Sequence, residues 1–217
     1  MHLILRPLII IPLSLLLLCS STQAPLSPNI TIDNPHFPGS TAFLSQSQVN
    51  LKTTLPIIYR DLKIPKSQQL KKIILKVKDM KGVAHAEWQS STIHLSGNWI
   101  TDHPDDFGMV IHETFHLIQA YPKYQPVWLT EGIADYVRYF IFEPKIGKAY
   151  RPKASYKKGY LPAAAFLAWV TNKYNPELII ELNQAKHKGS YTPEIFKKLT
   201  KKTLDELWVE YSQEFKI

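Results

Sequence analysis

The chain has 217 residues, of which 45% are hydrophobic, 12% aromatic and 20% charged, and its formal net charge is +8. This composition excludes an intrinsically disordered protein and supplies enough apolar side chains for one sizeable core. Cys19 is the single cysteine, so a scaffold held by internal disulfides is also excluded.

The first 24 residues have the pattern of a secretory signal peptide. Their apolar run, Leu8 to Leu18, is shorter than the roughly 20 residues that a transmembrane helix needs. The run ends at Cys19 in a sequence that resembles a bacterial lipoprotein junction, although the residue before the cysteine is bulkier than expected. Two alternatives stay open: a lipid on Cys19 that anchors the protein to a membrane, or ordinary cleavage after a small residue such as Ser21 or Ala24. Either predicts a secreted, periplasmic or cell-envelope protein whose single domain covers residues 25–217.

The mature chain remains basic. Residues 1–24 contain one arginine and no acidic residue, so the remainder has 25 basic and 18 acidic residues and a net charge of +7. Most lysines are spaced among apolar residues, as on the solvated faces of ordinary helices and strands. The alternative is attraction to an anionic cell-surface polymer, a membrane or an acidic substrate. No motif of interleaved basic and aromatic residues is present, so we expect no nucleic-acid partner, and we expect a monomer.

The first half of the mature chain predicts a helix and a small sheet. Four prolines in residues 25–42 indicate an extended leader, and hydrophobic residues at helical spacing follow until Pro65. Apolar and β-branched runs, bounded by turn-like residues, then indicate strands. The predicted elements are a strand at 30–32, a helix from about 46 to before 65, and strands at 73–77, 83–88 and 92–95. This order predicts an α+β fold with a small mixed β-sheet packed on helices.

The second half predicts helices throughout. Pro104 and two aspartates mark the start of a helix whose apolar face extends to Tyr121. Thr203 and Glu206 form a capping box for the last helix, which ends near Phe215. The helices between them are predicted at 126–142 and from about 162, 176 and 193.

The helix predicted after Pro104 contains an HExxH motif, His112-Glu-Thr-Phe-His116. At 3.6 residues per turn, His112 and His116 lie on the same face, so both imidazoles can bind one zinc ion. Glu113 is then placed to act as general base on the water that this zinc binds. The alternative is a solvated helix face with two incidental histidines.

Glu131, fifteen residues after His116, is the candidate third protein ligand. A hairpin of two helices would return Glu131 beside the histidines and leave a fourth position for water. Asp135, one turn further on the same face, is placed to accept the other N–H of a ligating histidine and to hold its ring. The alternative is a surface pair of acidic residues, with Asp135 paired to Arg138 or oriented by it.

In these residues the chain resembles the plant basic secretory protein family and its microbial relatives, peptidases of the zinc-dependent HExxH-plus-Glu, gluzincin-like kind. The resemblance implies a zincin-like α+β fold and secretion, with a poorly defined substrate, and Cys19 is not a hallmark of the family. The similar segments cover nearly the whole chain from about residue 30 and are Lys78–Ala84, Ile93–Ser96, His112–Gln119, Glu131–Arg138, Glu181–Asn183 and Leu204–Trp208.

Two further residues have two interpretations each. Tyr160 resembles a family position whose phenol could stabilise the developing oxyanion, and the alternative is an aromatic residue of the core. Gln119, one turn beyond His116, either bonds within the site or caps the helix.

The sequence therefore predicts a secreted zinc metallopeptidase that hydrolyses bonds in a peptide or protein substrate. The alternative is a non-catalytic or weakly catalytic envelope-binding or defence protein that keeps zinc for structure. Glu113 favours the enzyme, because a structural zinc site is closed by four ligands and needs no free carboxylate beside the metal.

Overall fold

The computed structural model describes residues 27–217, so the predicted signal peptide and Cys19 lie outside the described residues. Within this range the fold is mixed α+β, with a small four-stranded sheet followed by a helical second half. The prediction of an α+β fold with a small mixed sheet packed on helices is confirmed. Among residues 27–217, no helix combines the length and the hydrophobicity that crossing a membrane requires.

The sheet has the strand order β1-β2-β4-β3, in which β1, β2 and β4 are parallel and β3 pairs antiparallel with β4. Alternate residues of the central strand β2 are buried, as expected for a strand with one face on the core. Because β4 lies between β2 and β3, the turn after β2 does not close a hairpin, and β3 becomes an edge strand. The strands are β1 (Asn29–Asp33), β2 (Lys72–Lys78), β3 (Ala84–Glu87) and β4 (Thr92–Ser96).

The described residues contain nine α-helices. All the predicted helices are present, although α1 begins five residues before the predicted start. The short helices α2 and α5 were not predicted. The helices are α1 (Thr41–Asp61), α2 (Gly97–Asp102), α3 (Phe107–Gln119), α4 (Val127–Tyr136), α5 (Pro144–Ala149), α6 (Tyr160–Lys173), α7 (Leu178–His187), α8 (Glu194–Thr200) and α9 (Leu204–Phe215). A π-helical segment, Val137–Phe142, continues α4.

Helix α3, which contains the HExxH motif, is almost entirely buried. The Asp106 side chain caps its amino terminus by accepting a hydrogen bond from the backbone N–H of Met109. Ten of its 13 residues are buried, and it packs against β3, α1 and the π-helical segment. The helix ends at Ala120, which adopts a left-handed conformation. Its face toward β3 is therefore held in a fixed position next to the edge of the sheet.

Helix α4 packs most extensively against α6, and a glycine makes this approach possible. A Cβ atom on Gly132 would lie 2.7 Å from the Cβ of Ala163, which is too close for any other residue without a shift of the helices. Because Gly132 directly follows Glu131, the same contact holds the position of the glutamate relative to α6.

Candidate metal centre

Three buried or nearly buried side chains converge between α3 and α4. The Nε2 atoms of His112 and His116 are 3.0 Å apart. The Oε2 atom of Glu131 is 3.2 Å from the His112 nitrogen and 3.5 Å from the His116 nitrogen. Among residues 27–217, these three form the one group of His, Cys, Asp and Glu side chains that could hold a metal ion.

The separations between the three atoms fit a tetrahedral zinc ion. Bonds of about 2.0–2.1 Å from zinc to nitrogen or oxygen place neighbouring ligand atoms about 3.3 Å apart. The observed distances of 3.0, 3.2 and 3.5 Å bracket this value. Two imidazole nitrogens and one carboxylate oxygen are also a donor set that zinc prefers. The residues present therefore fit the ion that the sequence predicts.

Each histidine is oriented by a hydrogen bond from its other ring nitrogen. His112 Nδ1 donates to Asp135 Oδ1 at 2.6 Å, and His116 Nδ1 donates to Gln119 Oε1 at 2.6 Å. With the proton on Nδ1, the lone pair of each Nε2 points toward the centre of the group, as metal binding requires. Gln119 thus bonds within the site, and its Nε2 atom also donates to the backbone oxygen of Thr130 on α4, at 2.9 Å.

The acidic residues Glu131 and Asp135 are not a surface pair, because each is only 5% exposed. The guanidinium of Arg138 instead donates to Asp106 at 2.7 Å and to Glu143 at 3.3 Å. Arg138 thereby links the residue that caps α3 to the end of the π-helical segment. The structure therefore contradicts the alternative in which Asp135 pairs with Arg138.

The electrostatics of the group favour a cation. Burial opposes protonation of His112, but hydrogen bonds to Asp135 and Glu131 outweigh it and raise the pKa of His112 to about 9. Burial would also raise the pKa of Glu131, yet its contacts with His112 and His116 hold this pKa well below the ordinary range. The Glu131 carboxylate is therefore ionised over the physiological range, and the His112 imidazole is drawn toward positive charge.

Glu113 lies beside the three converging side chains without being one of them. Burial raises the pKa of its carboxyl, while the neighbouring histidines and a hydrogen bond from the backbone N–H of Ala86 act in the opposite direction. Ala86 belongs to the edge strand β3, so this bond ties Glu113 to the sheet. A partly buried carboxylate with a raised pKa, held at the wall of a cleft, has the properties of a general base.

Tyr160 lines the same cleft as Glu113 and is the first residue of α6. Its ring is 6.2 Å from that of His112 and nearly parallel to it, and 55% of the side chain is exposed. Tyr160 has a φ of +50°, and Gly159 before it has a φ of +74°. Such left-handed conformations cost energy in residues other than glycine and cluster at functional sites. The interpretation of Tyr160 as a core residue is therefore wrong, since it lines the cleft.

Tyr124 and Lys186 are two residues of the site that sequence reasoning missed. The Tyr124 hydroxyl donates to Oε1 of Glu131, which leaves Oε2 facing the histidines. Lys186, on α7 and only 2% exposed, donates to the backbone oxygens of Lys123, Tyr124 and Gln125 at 2.7–3.0 Å. Tyr124 lies in a loop without periodicity, and Lys186 acts from 55 residues beyond Glu131, so no local pattern pointed to either.

The converging side chains open into a cleft of about 500 Å³. The edge strand β3 and the residue after it, Trp88, line the cleft, as do the loop between α3 and α4 and Tyr160. Its lining residues are Ala84, His85, Ala86, Trp88, His112, Glu113, His116, Gln119, Ala120, Tyr121, Pro122, Tyr124, Thr130, Glu131 and Tyr160. The candidate metal ligands are therefore accessible to a molecule bound in this cleft.

Comparison with curated proteins and with solved structures finds no match for this chain. A family model does match: that of the BSP family, described as a peptidase of plants and bacteria, which covers residues 28–211. The matched segment includes the sheet, the cleft and all the candidate ligands, and it confirms the resemblance drawn from the sequence. The chain therefore belongs to the BSP family of plant and bacterial peptidases.

Proposed function

We propose that this protein is a secreted zinc-dependent metallopeptidase with a zincin-like fold, in which Glu113 is the general base. The observation that carries the proposal is the separation of roles among four neighbouring side chains. His112, His116 and Glu131 point their free atoms at one another, whereas Glu113 stays outside this group and faces the cleft. Membership in a peptidase family supports the same reaction.

A zinc ion bound by these three residues would polarise the scissile carbonyl and lower the pKa of a water molecule near it. Glu113 would accept a proton from the attacking water while the water oxygen bonds to the carbonyl carbon. When the C–N bond breaks, the same proton passes from Glu113 to the leaving amine nitrogen. The hydroxyl of Tyr160, an exposed residue in the lining of the cleft, would donate a hydrogen bond to the oxygen on which negative charge develops.

The edge strand β3 supports an extended peptide as substrate. The backbone N–H of Ser96 donates to Val83, so by the alternation of an antiparallel pair Val83 and His85 direct their backbone groups toward β4. Ala84 and Ala86 then direct theirs toward the cleft, as the bond from Ala86 to Glu113 illustrates. A peptide could pair as an added strand with the backbone groups of Ala84 and the carbonyl of Ala86, since the N–H of Ala86 already bonds to Glu113, and would bring its scissile bond to that glutamate.

The second candidate is an envelope-binding or defence protein with little or no catalysis, held to an anionic polymer by its basic surface. The net charge of the chain favours it, but the cleft does not, since its lining contains no lysine or arginine. The proposed secretion depends on the amino-terminal segment acting as a signal peptide. Anchoring to a membrane would depend on a lipid attached to Cys19.

The proposed peptidase activity is tested by digestion of an unbiased peptide library. The wild-type protein and Glu113→Gln are compared, each with and without a chelator. Glutamine keeps the size of the side chain but removes its basicity, and general-base catalysis contributes about 10² to 10⁴ in rate. We expect kcat to fall by at least about 10², with zinc content and Tm unchanged.

Glu194→Gln is the matched control, because Glu194 is exposed on α8 and lies outside the cleft. It should retain wild-type turnover. If Glu113→Gln cleaves as fast as the wild type, or if the zinc-loaded wild type cleaves nothing in the library, the proposal of a peptidase with Glu113 as general base is rejected. The envelope-binding protein then becomes the better explanation.

A further inference from the structure

Exposed aromatic side chains are concentrated at the cleft. Among residues 27–217, four phenylalanine, tyrosine or tryptophan residues are at least 37% exposed, and three of them, Trp88, Tyr124 and Tyr160, line the cleft. Burying an aromatic ring is strongly favourable, so exposed rings gathered at one place mark a site where another molecule covers them.

Two of the three rings have partners in the site already described. Tyr124 donates to Glu131, and Tyr160 lies over His112. Trp88 is different, because among the described residues no side chain hydrogen bonds to its indole or stacks on it, and 60% of it is exposed. Its position is therefore not explained by the candidate metal centre.

The position of Trp88 relative to Glu113 follows from the geometry of β3. Ala84 and Ala86 share one face of β3 and line the cleft with small side chains, and Trp88 begins the turn that follows the strand. Trp88 lies two residues beyond Ala86, whose N–H contacts Glu113. Because each residue extends the chain by at most about 3.4 Å, the Cα of Trp88 lies within about 7 Å of the Cα of Ala86, and its side chain therefore starts close to the proposed general base. A peptide paired with β3 would place the side chain one or two residues from its scissile bond against this ring.

The charges of the cleft indicate which side chain fits there. The lining contains no lysine, arginine or aspartate, and its two glutamates, Glu113 and Glu131, lie at the reacting centre. A charged substrate side chain beside Trp88 would lose water and gain no ion pair, whereas an aromatic or large aliphatic one would bury apolar surface on both sides.

From these observations we propose that Trp88 forms a specificity subsite, which selects peptides with an aromatic or large aliphatic residue one or two positions from the scissile bond. This inference rests on the peptidase function proposed above and names its substrate class. An uncharged peptide is preferred over a sugar because β3 also presents backbone groups that an extended peptide backbone can pair with.

The test compares cleavage-site preferences of the wild type, Trp88→Ala and Trp88→Phe in a peptide library, followed by kinetics on a matched pair of peptides. The pair differs only in Phe or Ala at the selected position. We expect Trp88→Ala to reduce kcat/KM for the Phe peptide by about 10- to 100-fold and to change that for the Ala peptide by less than about threefold. Trp88→Phe should restore most of the preference, and Val49→Ala, an exposed truncation on α1, should leave it unchanged.

Binding of the same two peptides to Glu113→Gln, with and without Trp88→Ala, is measured by calorimetry as a readout that needs no turnover. A preference for the Phe peptide that disappears with Trp88 supports the subsite even if no peptide is cleaved, in which case only the enzymatic proposal fails. Cleavage without aromatic or aliphatic preference, or equal binding of both peptides, overturns the subsite while leaving the peptidase intact. A third result would also overturn the peptide subsite. If an uncharged N-acetylglucosamine oligomer displaces the Phe peptide at a lower concentration than the Ala peptide does, the Trp88 ring binds a sugar.

Discussion

Each of the three side chains that could hold a metal has a different neighbour that orients it. Asp135 accepts from His112, Gln119 accepts from His116, and the hydroxyl of Tyr124 donates to Glu131. These partners fix which atom of each ligand faces the centre, so little rotamer freedom would be lost on metal binding.

Asp135→Ala removes the one carboxylate among these partners. The His112 ring would then lose both its orientation and the negative charge that increases its basicity, and we expect zinc affinity to fall by about 10- to 100-fold. Asp135→Asn, whose amide oxygen can still accept from Nδ1, should lose less. Zinc affinity is measured by competition with a chromophoric chelator, and circular dichroism checks that the fold is retained.

Asp102→Ala, an exposed truncation at the end of α2, is the control and should bind zinc as the wild type does. Unchanged affinity in Asp135→Ala would mean that its hydrogen bond to His112 does not contribute to metal binding.

The convergence of the three candidate ligands was easier to predict from the sequence than the side chains that orient them. A spacing of four residues on a helix brings His112 and His116 together without further information, and a helical hairpin that turns between Pro122 and Pro126 is enough to return Glu131. Gln119 had two interpretations, because a glutamine near the end of a helix can bond in either direction. Tyr124 could not be found, since the conformation of its loop depends on Lys186, which is distant in sequence.

At the scale of elements, the loop between α3 and α4 is held by Lys186 on α7. A lysine ammonium has three N–H donors, and here each finds one backbone oxygen of the loop. The sequence predicted both helices and the loop from periodicity and proline positions. It did not predict the strand order, because pairing of β2 with β4 rather than β3 joins residues that are distant in the chain.

The end of α6 is joined to α9 by a cluster of charges around Glu210. Its carboxylate is 2.9 Å from Lys173 Nζ, pairs with Lys202 and accepts a hydrogen bond from the Tyr174 hydroxyl. The bonds from Lys202, Tyr174 and Lys173, in this order of importance, lower the pKa of Glu210 to about 2. The Glu210 carboxyl therefore loses its proton at a lower pH in the folded protein than in the unfolded chain.

This shift predicts how Glu210→Gln changes stability with pH. A carboxyl whose pKa is lower when folded contributes stability above its unfolded pKa of about 4.5, and the contribution is lost as the pH falls toward about 2. We expect Glu210→Gln to lower Tm by about 2–4 °C at pH 7, as for a charge network worth about 1 kcal/mol. The gap between variant and wild type should narrow steadily below pH 4.5.

Thermal unfolding followed by circular dichroism between pH 7 and pH 3 measures this gap. Repeating the series in 1 M NaCl, which screens exposed charges, should make the gap smaller at pH 7. A gap that stays constant down to pH 3 would mean that the glutamine destabilises the protein by some means other than its missing charge.

At the scale of the whole molecule, the net positive charge does not come from residues that line the cleft. The chain has a net charge of +8, yet the lining of the cleft contains no lysine or arginine. An anionic polymer would therefore be held elsewhere than at the candidate metal centre. The two properties can then be tested independently, because substitutions in the cleft leave the basic surface intact.

The candidate ligands also make metal binding a property of the folded molecule as a whole. His112 and His116 lie on α3 and Glu131 lies on α4, so the three meet only when the helices are packed together.

A ligand that binds the folded state alone stabilises it by RT ln(1 + [L]/Kd), which is about 2.7 kcal/mol at a free concentration of 100 times Kd. For a chain of this size we expect zinc to raise Tm by about 5–10 °C, and a chelator to reverse the increase. His116→Ala should remove the shift, whereas Glu113→Gln should keep it, since Glu113 is not one of the converging ligands. Differential scanning calorimetry of the three proteins, with and without zinc, measures these shifts. An equal increase in His116→Ala would mean that zinc stabilises the protein from some other site, and the ligand set would be wrong.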